Sequence, residues 1–367
     1  MLRFYVMSGR IKFKRIALFL LLTFLLSWGF DGCLLYFRDS DPFQSLGMNP
    51  WGMLVPAFVA LILQMFLFRD SPIFFKSYKE KPRYIFYAFM VLTLIYAILV
   101  LLAASFPDLK QLFQGISAIL FTLWTLWVFY VYGKSDRASL ERAGLYFRNR
   151  AKCPPFIIGI VLFFLLQAAL NLIFPTGEFV GQLEGIYRLP IPSALYIPSL
   201  IILFVLVTVI GIPLSGLAVV FGEEYGWRAF LLSELRKLGK LKAVLGVGLV
   251  WGIWHIPVIL RGLHTYPASL AGILLGVAFF LLWGIIQGYA MLKTGNIWLV
   301  AFMHGTVNSV YQFSLTYIVR PDHPVFSFGL GLFGLLILAI IVYFVLRDKL
   351  WRESVSQGIR EDNGNVP

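Results

Sequence analysis

The feature that most limits what this chain can become is a succession of apolar runs, each about as long as a bilayer is thick. A helix rises roughly 1.5 Å per residue, so a hydrocarbon core of about 30 Å takes about 20 apolar residues to cross. Runs approaching that length extend from Ile16 to Phe37, Met48 to Phe68, Tyr84 to Ser105, Phe113 to Gly133, and Phe156 to Phe174. Others run from Tyr196 into the segment around Phe221, then Ala243 to Leu260, Leu270 to Leu292, Ile297 to Val319, and Phe326 to Leu346. Hydrocarbon offers no water to backbone groups, so such spans fold as helices, and the period-two alternation of a barrel strand is missing. The expectation is an all-α, polytopic transmembrane helix bundle of about ten spans. Only 13% of the 367 residues are charged and 59% are apolar, which excludes an ordinary soluble domain. The first run follows Arg10, Lys12, Lys14 and Arg15 but is too long for a signal peptide and has no small-residue cleavage site, so it reads as a retained anchor.

A net charge of +13 invites a nucleic-acid reading, but the positions of the basic residues argue against it. Clusters precede the first run, occupy 69–83, 134–152 and 228–242, and follow the last run. The opposite side keeps only Arg38, Lys110, Arg188, Arg261 and Arg320. That alternation is the positive-inside pattern, which places both termini in the cytoplasm of what is expected to be a bacterial cell membrane, with no nucleic-acid partner. Cys33 and Cys153 fall on opposite sides under this topology and are not expected to pair. The expected organisation is N-terminal spans over 1–195, a core over 196–319, a last span over 320–346 and a disordered tail over 347–367. Gly272 with Gly276, and the cluster Gly329, Gly331 and Gly334, suit close helix packing.

Ionisable residues inside apolar spans are costly unless paired, hydrated or in use, so they carry the functional signal. Three segments hold them: Glu223, Glu224 and Arg228; His255; and His304 with Asn308. Glu224 and Arg228, Trp251 and His255, and His304 and Asn308 are each four apart, so each pair shares a helix face. Counted from the basic ends of their spans, the three groups lie at similar depth, roughly 16–20 Å in. Consecutive helix positions point about 100° apart, so only Glu224 faces Arg228 and forms an orienting ion pair. Glu223, left without that partner, is the candidate general base, and a nearby histidine would share the proton.

Amide hydrolysis needs an activated water and donors for the developing oxyanion, and this set supplies both. Ser199, Ser215 and Ser309 lie in no nucleophile motif, and no H-E-x-x-H occurs. Glu223, His255 and His304 remain an alternative His₂Glu zinc set. A second alternative is a non-proteolytic membrane protein (immunity factor, scaffold or transporter) that keeps the polar layer for register or for an ion path. Gly211 and Pro213 interrupt the sixth run, yet no matching break marks a transporter repeat. His264 and His323 fall in outer loops and read as solvated.

These residues resemble the motifs of the CAAX protease and bacteriocin-processing family (CPBP, or Abi). Its E-E-x-x-x-R appears as Glu223 to Arg228, its aromatic-x-x-x-H as Trp251 to His255, and its H-x-x-x-N as His304 to Asn308. The resemblance covers roughly Tyr196 to Val319. It implies an intramembrane endopeptidase in which Glu223 and His255 activate water, His304 and Asn308 stabilise the oxyanion, and Glu224 with Arg228 supports the site. The implied substrate is a membrane-associated or lipidated peptide or protein, met within or beside the bilayer. Two departures are Trp251 where many members have Phe, and Ala229 where glycine is common; both read as mild.

Overall fold

A computed structural model of the protein describes residues 12–36, 50–180, 193–262 and 266–352. The first half is built from α1 (Phe13–Tyr36), α2 (Pro50–Ile62, continued by a π turn over Leu63–Leu67), α3 (Arg83–Ser105), α4 (Lys110–Gly133), the short α5 (Arg137–Arg142) and α6 (Pro154–Ile173). In the second half come α7 (Ser193–Phe204), a π stretch over Val205–Gly211, α8 (Ile212–Ser215), α9 (Leu217–Glu224), a second π stretch over Tyr225–Leu231, and α10 (Leu232–Leu235). The chain closes with α11 (Lys240–Trp254), α12 (Ile256–Leu260), α13 (Leu270–Thr294), α14 (Ile297–Phe313) and α15 (Leu332–Val345). Apart from an antiparallel ribbon of β1 (Gly177–Phe179) and β2 (Val319–Pro321), the described structure is helical.

Among the described residues, six helical segments are long and apolar enough to cross a membrane: Phe13–Cys33, Arg83–Ser105, Pro107–Gly133, Arg150–Ile173, Lys240–Leu260 and Leu270–Thr294. Large apolar side chains such as Leu94, Ile98, Leu126, Leu162 and Leu274 are exposed on these helices, while the interior holds the polar cluster described below. Such a surface is at home in hydrocarbon and not in water, so the chain is an integral membrane protein.

Two expected runs take a different form. The sixth does not continue smoothly from Tyr196 to Phe221, because the helix is interrupted at Gly216 and the carboxylates lie on the segment that follows. The tenth begins only at Leu332, since 323–331 form a loop in which Gly329 has a positive φ of 96°. Gly334 meets the backbone of Gly329 in that loop, so this glycine cluster serves a fold-back rather than helix packing. Gly272 likewise faces Pro267 in its own leading loop, whereas Gly276 approaches Ile259 of α12. Beyond α15, the carboxylate of Asp348 accepts from Tyr289 Oη and Lys293 Nζ, both at 2.6 Å, and Lys240 Nζ donates to the Leu350 carbonyl at 2.8 Å. These bonds fasten the residues just after α15 over the ends of α11 and α13; residues 353–367 of the expected tail, like Arg38, Arg188 and His264, lie outside the described residues. Cys33 is an exposed free thiol and Cys153 a buried one.

Two crossings position the polar residues. At the first, α2 lies against α9 and the π stretch, where Gly222 and Gly226 bracket the two glutamates. A Cβ at Gly222 would stand 2.5 Å from the Met53 carbonyl oxygen, and one at Gly226 would stand 2.5 Å from the Pro56 carbonyl carbon. Only glycine permits backbones to approach so closely. At the second, Gly284 of α13 faces Gly248 of α11, where a Cβ would meet the Gly248 Cα at 2.8 Å.

Replacing Gly226 by Ala should lower the melting temperature of the detergent-solubilised protein, through overpacking worth about 1–3 kcal/mol. Gly159→Ala, where an added Cβ meets nothing within 4 Å, is the control and should leave it unchanged or slightly raised. Equal melting temperatures for the two variants would refute the tight crossing.

Candidate active site

Glu224 is the point at which three chain segments meet. Its Oε1 accepts from Arg228 Nη1 at 3.1 Å, Gln287 Nε2 at 3.1 Å and His304 Nδ1 at 2.7 Å. Arg228 follows one turn later, Gln287 comes from α13 and His304 from α14. All four side chains are buried, Glu224 and Gln287 completely. The Arg228 charge is also met by Gln287 Oε1, 2.6 Å from Nη2, and by the face of Trp251, whose ring centroid is 4.2 Å from the guanidinium carbon. A buried ion pair repays its desolvation only with additional partners of this kind. Because an ionised carboxylate only accepts, Nδ1 of His304 carries the hydrogen and Nε2 is left for other chemistry.

Glu223, one position earlier, points elsewhere, as helix geometry requires. It is fully buried, and its Oε2 accepts from the Trp251 indole at 2.5 Å. Trp251 also packs edge-on to His255, His304 and Phe280, with ring centroids 5.5, 5.6 and 4.8 Å away. One indole therefore joins both histidines, Glu223 and Arg228. Its presence in place of Phe is not the mild departure expected from sequence, since Phe has no N–H to give Glu223.

The turn carrying His255 follows from Pro257. A proline lacks the N–H for the next helical bond and its ring crowds the carbonyl four residues back, so the helix is broken here. The His255 amide turns to the Gly252 carbonyl at 3.2 Å instead of reaching back four residues. The Trp251 carbonyl thus becomes available, and the His255 ring takes it through Nδ1 at 2.9 Å. A carbonyl can only accept, so in the neutral ring the basic lone pair is on Nε2. Phe280 stacks on the imidazole, with centroids 3.7 Å apart. From the other side α1 clasps the same break: Trp28 Nε1 donates to the Trp254 carbonyl at 3.1 Å, Trp254 Nε1 to Ser27 Oγ at 2.7 Å, and Arg261 pairs with Asp31 at 3.1 Å.

His304 owes its position to a well-capped helix start. Gly295 ends α13 in the left-handed conformation, and Asn296 caps α14 by accepting from the amides of Trp298 and Leu299. The Asn296 amide group donates to the Arg148 carbonyl at 3.0 Å, and Trp298 Nε1 donates to the Leu145 carbonyl at 2.6 Å, which pins the turn to the loop after α5. Asn308 lies one turn beyond His304 on the same face and is half-buried; no hydrogen bond to the cluster is formed among the described residues. Ser309 Oγ donates to its own helix at the Gly305 carbonyl. His323 is exposed and accepts from the amides of Val325 and Phe326.

The structure therefore gathers Glu223, Glu224, Arg228, His255 and His304 into one buried cluster, with Asn308 at its edge. Two oxygens, Glu223 Oε1 and Glu224 Oε2, are buried without a hydrogen-bond partner among the described residues. Among those residues no three His, Cys, Asp or Glu side chains are placed to hold a metal ion, so Glu223, His255 and His304 do not fit zinc as arranged, and no step below uses a metal. Gln287 was missed by sequence reasoning. Its signal was a lone amide in an apolar span, which motif spacing does not pick out.

The family model described as type II CAAX prenyl endopeptidase Rce1-like matches residues 194–310, a range that includes every motif residue above. No curated protein and no solved structure matches the chain. Over residues 194–310 the chain thus carries an Rce1-like type II CAAX prenyl endopeptidase domain of the CPBP (Abi) family, whose members hydrolyse peptide bonds.

Proposed function

We propose that this protein is an intramembrane endopeptidase that cuts a membrane-associated or lipidated peptide with a water activated by Glu223 and His255. The observation that carries the proposal is the pairing of two unlike carboxylates in one buried cluster. Glu224 is bound three times over through Oε1, while Glu223 holds one oxygen to Trp251 and keeps Oε1 without a partner among the described residues. The first is built to orient, the second to accept a proton.

In this reaction Glu223 Oε1 takes a proton from water as its oxygen attacks the carbonyl carbon, and His255 Nε2 accepts a hydrogen bond from the same water and orients it. The carbonyl π electrons move to oxygen, and the resulting oxyanion is met by the N–H of His304 Nε2, an imidazolium that enters the reaction with both nitrogens protonated and keeps both protons throughout, and by the Asn308 amide. Glu224 steadies the imidazolium through Nδ1. When the tetrahedral intermediate collapses, the C–N bond breaks and the proton held on the base passes to the leaving amine. Atoms balance with one water per bond and no covalent enzyme intermediate. The finer topology belongs to the same proposal: about ten crossings and both termini cytoplasmic.

The competing reading, a non-proteolytic scaffold or transporter, draws on the same saturated Glu224 oxygen, which by itself fixes helix register. Glu223 separates the two. Glu223→Gln should reduce cleavage of a quenched fluorogenic farnesylated peptide by about 10²- to 10⁴-fold, with melting temperature retained. Full cleavage by that variant removes Glu223 from the mechanism. A Trp251→Phe change keeps the ring contacts but deletes the donor to Glu223, and should lower kcat about tenfold; an unchanged kcat would show that the indole hydrogen bond has no part in the reaction.

A further inference from the structure

Arginine and carboxylate side chains prefer to meet through two parallel hydrogen bonds, which is the stronger geometry. Arg228 and Glu224 do not meet that way. Only Nη1 reaches Glu224, at Oε1, and Nη2 is engaged by Gln287 Oε1 at 2.6 Å. Meanwhile Glu224 Oε2 has no hydrogen-bond partner among the described residues. Gln287 thus stands where a second arm of the guanidinium would otherwise complete the fork.

The amide can sit only one way round. Its oxygen must face the guanidinium and its NH₂ the carboxylate, since a flip would set donor against donor and acceptor against acceptor. The side chain is fully buried, and an amide left unpaired there is costly, so these two bonds account for its place in an otherwise apolar stretch of α13. Without Gln287, the carboxylate can rotate to give both oxygens to Arg228. That rotation withdraws Oε1 from His304 Nδ1 and frees the imidazole to change tautomer and direction.

We infer that Gln287 is a positioning residue: it holds Arg228 to a single bond with Glu224 and so reserves Glu224 Oε1 for His304. The inference rests on the protease reading for its kinetic consequence, but its structural consequence is measurable without turnover.

The test uses the full chain in detergent, labelled with ¹⁵N-histidine; there are four histidines, and His304 is assigned from its own Gln variant. Wild type should show one fixed His304 form protonated at Nδ1. Gln287→Met, which keeps the length and loses both bonds, should show mixed tautomers. Gln287→Glu, in its protonated form, still accepts from Arg228 Nη2 and donates its O–H to Glu224 Oε1, so it should lie closer to wild type. With the farnesylated reporter, Gln287→Met should lose about 10- to 100-fold in kcat while KM stays within about twofold, the signature of a displaced reacting group. An unchanged His304 spectrum in folded Gln287→Met protein overturns the inference, and so does a spectral change in Gln287→Glu equal to that in Gln287→Met. A reporter left uncut by wild type, together with a His304 spectrum that responds to Gln287, overturns the protease reading and supports the positioning role.

Discussion

One carboxylate oxygen, Oε1 of Glu224, organises the interior of this protein. It accepts from Arg228 on its own chain segment, Gln287 on α13 and His304 on α14. In a medium with no competing water, each of these groups left alone would cost several kcal/mol, so the helices that carry them are tied together by mutual need. Trp251 extends the arrangement to α11 by covering the Arg228 face and donating to Glu223. The polar cluster thereby does in the membrane interior what apolar burial does in water: it decides which helix faces meet.

The backbone has to allow that convergence, and it does so by local irregularity. Gly222 and Gly226 let α2 press on the segment bearing the glutamates, and the π stretch from Tyr225 to Leu231 begins just after them. Such π insertions are rare and concentrate at functional sites because they re-aim side chains within a helix. At His255 the break imposed by Pro257 releases the Trp251 carbonyl, which then fixes the imidazole. The same break is gripped by Ser27, Trp28 and Asp31 of α1. The first helix is thus joined to the site although it carries none of the family's motifs.

Much of this was legible in the sequence, for identifiable reasons. Long apolar runs and intramembrane charges are direct statements of membrane physics, and four-residue spacing correctly placed Glu224 on Arg228 while turning Glu223 away. What escaped was set by contacts distant in sequence. Nothing local distinguishes Gln287 from a stray amide, and the donor role of Trp251 depends on Glu223 lying 28 positions earlier in sequence yet 2.5 Å away in space. An interruption of the sixth run was legible at Gly211 and Pro213, but its position at Gly216, a few residues later, was not. The late start of α15 was also hidden, since a loop rich in Phe and Gly has the hydropathy of a helix.

The central claim is that the Glu224 to His304 bond joins separate helices in a water-poor interior. A double-mutant cycle with Glu224→Gln and His304→Gln, read as unfolding free energy in mixed detergent, tests it most directly. A buried hydrogen bond to a charged group predicts a coupling of about 1.5–3 kcal/mol. Single-variant effects that add within about 0.5 kcal/mol would mean that the two side chains do not act on each other, and would contradict the account.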